Sequence, residues 1–86
     1  MATFSEPSYR GSRAITPGTP VTPGRGFRIN ATVAGNVEFT FKDPTTGATT
    51  TDIVIVSTGT SVWPYSVSNV TSGGNTTATA TYAALD

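Results

Sequence analysis

"RGFRINATVAGNVEFTFK", residues 25–42, decides the fold. Its apolar side chains recur at every second position. Phe27, Ile29, Ala31 and Val33 share one face, with Arg28, Asn30 and Thr32 on the other. After "AGN" (34–36) the alternation resumes, with Val37, Phe39 and Phe41 inward and Glu38, Thr40 and Lys42 outward. A repeat of two is the strand repeat, because successive Cβ atoms point to opposite faces. Gly35 and Asn36 tolerate positive φ, so the pattern predicts two strands joined as a β-hairpin.

The same reading extends downstream. "DPTTG" (43–47) is a turn, with Pro44 setting φ and Gly47 closing it. "ATTTDIVIVS" (48–57) is a third strand. Its "IVIV" is apolar on both faces, which fits a central strand or a face covered by a partner. "TGT" (58–60) breaks it. "SVWPYSVSNV" (61–70) is strand-like, but Pro64 lacks a ladder donor, so the segment is bent, bulged or at an edge there. "TSGGN" (71–75) is a loose turn. In "TTATATYAAL" (76–85), Ala78, Ala80, Tyr82 and Ala84 alternate with Thr77, Thr79, Thr81 and Leu85. No window repeats at 3.6 residues, and the Thr-, Val- and Gly-rich composition disfavours helix. The expectation is an all-β chain, a small antiparallel β-sandwich or barrel of about five strands.

Upstream the pattern fails. "RAITPGTPVTPGRGFRI" (13–29) holds three prolines and three glycines. Residues 1–24 therefore read as an extended Pro/Gly-rich N-terminal arm, ahead of a β domain at 25–86. That leaves about sixty residues for a core, and a domain of that size buries only ~60% of the surface its unfolded chain exposes. Small scaffolds need staples. With no cysteine and no histidine in the chain, disulfides and the commonest metal ligand are missing, and oligomerisation remains. A proline-stiffened arm loses little entropy when it orders on a neighbour. Tyr9, Ile15 and Val21 would anchor it there, and the arginines would meet acidic or carbonyl partners.

The net charge is zero, which gives no general pull toward nucleic acid or membrane. The distribution is lopsided. Arg10, Arg13, Arg25 and Arg28 against Glu6 make the first third +3; Lys42 against Glu38, Asp43, Asp52 and Asp86 makes the remainder −3. A head-to-tail contact between copies suits that asymmetry. "MATFSEPSYRG" has no apolar run of signal-peptide length, and no stretch approaches the ~18 apolar residues of a membrane span. Synthesis in a cytoplasm, starting near Met1, is the expectation.

No catalytic constellation is visible. A Ser-His-Asp or Cys-His arrangement has no residues to form it. A Ser-Lys pair would need Lys42, at the end of a hairpin strand. A carboxylate pair would draw on Glu38, outward on its strand, and on Asp43, a turn-former. Asp43 and Asp52 lack calcium-loop spacing, and "GTPVTPGRG" lacks the ending of a phosphate loop. Arg25 and Arg28 flank Phe27, but Phe27 alternates onto the apolar face, so they read as solvated charges beside a core ring rather than a single-strand nucleic-acid platform. Trp63 and Tyr65 flank Pro64; they fit a core edge or a subunit interface, or a stacking platform for carbohydrate. The chain is expected to bind or build, not to catalyse, and to need no cofactor.

The order of these pieces resembles the small spike-base proteins on the heads of gene transfer agents and related tailed-phage particles. The resemblance is carried by Ala14-Ile15-Thr16-Pro17, Arg25 to Ile29, Gly35-Asn36-Val37, Thr58-Gly59-Thr60, Trp63-Pro64-Tyr65-Ser66-Val67, and Val70 through Leu85, and so spans most of residues 14–85. The chain departs from the pattern at "GGN" (73–75) and at the longer "DPTTGATTT" hairpin (43–51). The resemblance implies a structural virion protein on the capsid surface, made in the host bacterial cytoplasm. It would bind the major capsid protein and itself, as a pentamer or trimer, and carry a fibre protein in some particles. A tail or neck component of the same particle, or a carbohydrate-binding module using Trp63 and Tyr65, is the alternative. The residues assigned to partner binding are Tyr9, Arg10, Arg13, Ile15, Val21, Arg25, Trp63 and Tyr65.

Overall fold

A computed structural model describes residues 9–43 and 45–86. The chain is all-β, with seven strands in two antiparallel sheets packed face to face. The strands are β1 (Ser12–Ile15), β2 (Gly26–Val33), β3 (Gly35–Lys42), β4 (Thr49–Val56), β5 (Gly59–Trp63), β6 (Val67–Val70) and β7 (Thr79–Leu85). Sheet A has the order β1-β7-β2-β5 and sheet B the order β4-β3-β6.

The alternation in residues 25–42 marks Phe27, Ile29, Ala31, Val37 and Phe39 as inward correctly, but Val33, beyond a register shift after Ala31, is 53% exposed, and the two strands do not make a hairpin. β2 lies in sheet A and β3 in sheet B. A single residue, Ala34, separates the two strands. A tight hairpin needs two loop residues, commonly with positive φ; neither Ala34 nor Asn36 has it, and nor does Gly35. The chain turns a corner instead, and the two apolar faces meet across the interior. Phe27, Ile29, Val37 and Phe39 are fully buried, and the Phe27 and Phe39 rings lie 5.3 Å apart. Gly35 is required at this corner. A Cβ there would sit 2.7 Å from Thr77 Oγ1 and 2.8 Å from the Ala78 backbone nitrogen.

The turn at 43–47 does make a hairpin. β3 and β4 pair in unbroken register from Gly35↔Val56 to Lys42↔Thr49. Asp43 Oδ1 accepts the Thr45 N–H at 2.7 Å, and Gly47 turns at φ 76°. Pro44 lies outside the described residues. Of the two positions expected for "IVIV", the central strand is corrected, since β4 is an edge strand of sheet B. Its inward Val56 is buried, whereas Ile55 is 80% exposed.

The expectation of about five strands rises to seven for two reasons. Pro64 divides the fourth predicted strand into β5 and β6, which belong to different sheets. The second reason is β1, which lies inside the expected arm and pairs with β7 from Ser12↔Leu85 to Ile15↔Tyr82. Ile15 is 5% exposed in the chain's own core. Residues 16–24 then follow the free side of β6. The Gly18 N–H donates to the Val70 carbonyl at 2.8 Å and the Val21 N–H to the Ser68 carbonyl at 2.7 Å. Prolines suit this path because a segment with few amides has few donors to satisfy. The segment therefore covers a sheet edge of its own domain, which corrects the boundary expected at residue 24 and, for residues 12–24, the arm expected on a neighbour; residues 1–8 of that arm lie outside the described residues.

Candidate functional site

The outer face of sheet A carries a shallow groove of about 360 Å³, lined by Tyr9, Arg10, Gly11, Ser12, Arg28, Val62 and Leu85. Strand register explains the lining. Arg28 stands opposite Val62 on β5 and Ala83 on β7, and Leu85 stands opposite Gly26 and Ser12. Phe27 stands opposite Trp63 and Ala84, so those side chains take the other face and enter the core. The single-residue parity of a strand separates groove from interior.

Glycine makes room for the groove's aromatic wall. A Cβ on Gly26 would fall 2.6 Å from the Tyr9 hydroxyl, so the bare backbone at 26 is what lets Tyr9 lie on the sheet. The Arg25 guanidinium stands 5.9 Å from the centre of the Tyr9 ring, within cation–π range. The segment is pinned by the Arg10 N–H, which donates to the Asp86 carbonyl at 2.6 Å, and by the Asp86 N–H, which donates to the Gly11 carbonyl at 2.9 Å.

The electrostatics follow from one pairing. Arg13 donates through Nε and Nη2 to both oxygens of the Asp86 carboxylate, each at 2.7 Å. The hydrogen bonds from Arg13 hold the Asp86 carboxyl below the ordinary 3.8 and raise the Arg13 guanidinium in turn. This fork neutralises Asp86. Among the described residues no carboxylate forms a salt bridge with Arg10, Arg25 or Arg28. The groove is thus a patch with an apolar floor and arginines at its rim.

The eight residues predicted to bind partners separate into two groups. Tyr9 and Arg10 line the groove and Arg25 leans over Tyr9, whereas Arg13 stands opposite Ala84, off the groove face, and pairs with Asp86. Ile15 is buried, and Val21, Trp63 and Tyr65 are partly buried against the core. The Trp63 indole N–H donates to Ser61 Oγ at 2.9 Å. The Tyr65 ring lies 5.1 Å from Phe39 and 4.9 Å from Phe41. Val21, Trp63 and Tyr65 therefore serve the domain's interior. Sequence reasoning missed Arg28, Val62 and Leu85 as groove residues. Their outward parity was visible in the alternation of Arg28 with Phe27 and of Val62 with Trp63.

A second surface lies on sheet B. Ile53 stands opposite Glu38 and Ile55 opposite Asn36 on the outer face. Ile53 is 43% exposed and Ile55 80%, which makes an apolar strip along β4. No group of three His, Cys, Asp or Glu side chains is placed to hold a metal among the described residues. No known protein family, curated protein or solved structure matches this chain.

Proposed function

We propose that the chain is a structural virion protein of a tailed particle, a head decoration or spike-base module that binds the major capsid protein and itself and catalyses nothing. The observation that carries this reading is the pair of outward surfaces on so small a domain. One is the arginine-rimmed groove of sheet A and the other the apolar strip of β4. Large apolar side chains exposed side by side mark contact surfaces rather than ordinary solvent-facing positions. The order of motifs shared with spike-base proteins gives the same direction. The carbohydrate-binding alternative has less support, because a stacking platform needs free ring faces and both Trp63 and Tyr65 pack against the core.

Co-sedimentation tests the reading. Shells assembled from the major capsid protein of the same genome are mixed with the purified chain and spun through a cushion. Saturable co-sedimentation at a fixed copy number per shell is expected. A chain left entirely in the supernatant, with glycan binding that Trp63→Ala abolishes, would replace the virion reading by the carbohydrate one.

A further inference from the structure

The two outward surfaces complement each other in chemistry. The sheet A groove has Val62, 51% exposed, and Leu85 at its floor, with Arg10 and Arg28 beside them. The sheet B strip has Ile53 and Ile55, with Glu38 directly opposite Ile53 on the same outer face. One is apolar with arginines beside it and the other apolar with a carboxylate, Glu38, beside it. They lie on opposite faces of the same sandwich, so one copy cannot close them on each other, but two copies can.

The edge of β4 is the competing route for self-association, and it is guarded. The Glu38 amide and carbonyl turn toward Thr76 and Thr71, on the β6 side. Ile53, opposite Glu38, therefore directs its own amide and carbonyl to the free edge. Asp52 Oδ1 already takes that Ile53 N–H at 2.8 Å. Asp52 also stands opposite the inward Phe39, so a carboxylate sits on the core side of the edge. A spent amide and a charge at the edge oppose strand addition. The outer face of β4 is left as the surface that meets a partner.

We infer that a second copy of this chain seats the outer face of its β4, Ile53 and Ile55 flanked by Glu38, in the arginine-rimmed groove of sheet A. The inference rests on the self-binding half of the proposed function and adds the two faces that meet. The contact is heterologous. Each copy offers one groove and one strip, so the contact repeats and gives a closed ring where the rotation closes and a fibre where it does not.

Two surface variants test it. Arg28→Glu inactivates the groove, and Ile55→Lys inactivates the strip. Both positions are exposed, so thermal melts should show two folded proteins; Val62→Glu is the second groove variant should Arg28→Glu not fold. Wild type is expected to sediment as an oligomer, with self-affinity about tenfold weaker in 0.5 M than in 0.05 M NaCl because charge steers and holds the contact. Each variant alone is expected at the monomer mass of 8.8 kDa. Mixed together they are expected to form a 1:1 dimer that grows no further, from the intact groove of one and the intact strip of the other. A wild-type chain that stays monomeric at millimolar concentration overturns the inference. So does a mixture that stays monomeric, and so does a single variant that still dimerises on its own, which is the signature of a two-fold interface using one patch twice. No shell is present in this experiment, so its failure leaves capsid binding standing, and failed co-sedimentation leaves the pairing of faces standing.

Discussion

Replacing Phe39 by alanine should remove a large share of the stability of this domain. Phe39 is fully buried, and its ring centre lies 5.3 Å from Phe27, 5.8 Å from Phe41 and 5.1 Å from Tyr65. It joins the two sheets, since Phe27 belongs to sheet A. Truncating a buried Phe to Ala costs about 3–5 kcal/mol, the lost transfer energy plus the cavity. Natural domains hold roughly 0.05–0.15 kcal/mol per residue, or about 4–13 kcal/mol for a chain of this length. Urea titration followed by Trp63 fluorescence measures the loss. With a slope of about 1–1.5 kcal/mol/M, the midpoint should fall by about 2–5 M, to the point of unfolding in water if the domain is at the low end. Phe41→Ala is the internal control, because Phe41 is only partly buried and should cost about 1–2 kcal/mol. A loss below about 1 kcal/mol for Phe39→Ala, or equal losses for the two variants, would mean that the sheets do not meet through Phe39.

Two glycines should respond differently to a methyl group. Gly35→Ala pushes against the Ala78 backbone and should destabilise by about 1–3 kcal/mol. At Gly26→Ala the three atoms nearest the new Cβ all belong to the Tyr9 side chain, so it should displace Tyr9 at a cost of under about 1 kcal/mol; equal thermal shifts for the two would refute the distinction. The Asp86 carboxyl is held below 3.8, so its contribution is present above that value and is lost as the pH falls through the folded value. Asp86→Asn should flatten the acid limb of a melting-temperature profile, and an unchanged limb would remove the fork from the account. Burial raises the Tyr82 hydroxyl above 10.0, so its contribution is intact at neutral pH and is lost as the pH climbs past 10.0. Tyr82→Phe should soften the alkaline fall in stability, measured by the same melts.

Much of the fold is legible in the alternation. Phe27, Ile29, Val37 and Phe39 are inward as their spacing requires, and Pro64 interrupts the strand where its missing amide demands it. What alternation lacks is the address of each strand. It states which side chains go inward, and says nothing about which sheet they go inward from. β2 and β3 therefore look like a hairpin, although Ala34 alone joins them across the sandwich. β1 was hidden by the prolines that follow it, since four residues are too few for a period to show. The apolar "IVIV" admits two readings, central strand or covered face, and only the sheet order rejects the first. Of the groove, the sequence carried Tyr9, Arg10 and Arg25, grouped by charge and nearness in the chain. Val62 and Leu85 come from strands made much later, and only pairing in space brings them to Arg28.

The position of β7 has a consequence for how the chain is made. It is synthesised after the other six strands of the domain, yet sheet A is assembled on it, with β1 on one side and β2 on the other. Arg13 waits for Asp86, and Ser12 for Leu85. On the ribosome, β1 through β6 emerge with no partner strand for β1 and only one side of β2 available. The domain cannot close until β7 clears the exit tunnel. Folding is then dominated by distant pairings, which places it among the slow all-β folders, on the order of milliseconds to seconds. Until then the open side of β2 is uncovered in a cell crowded with other copies, and the interval before closure is when this protein is most exposed to aggregation.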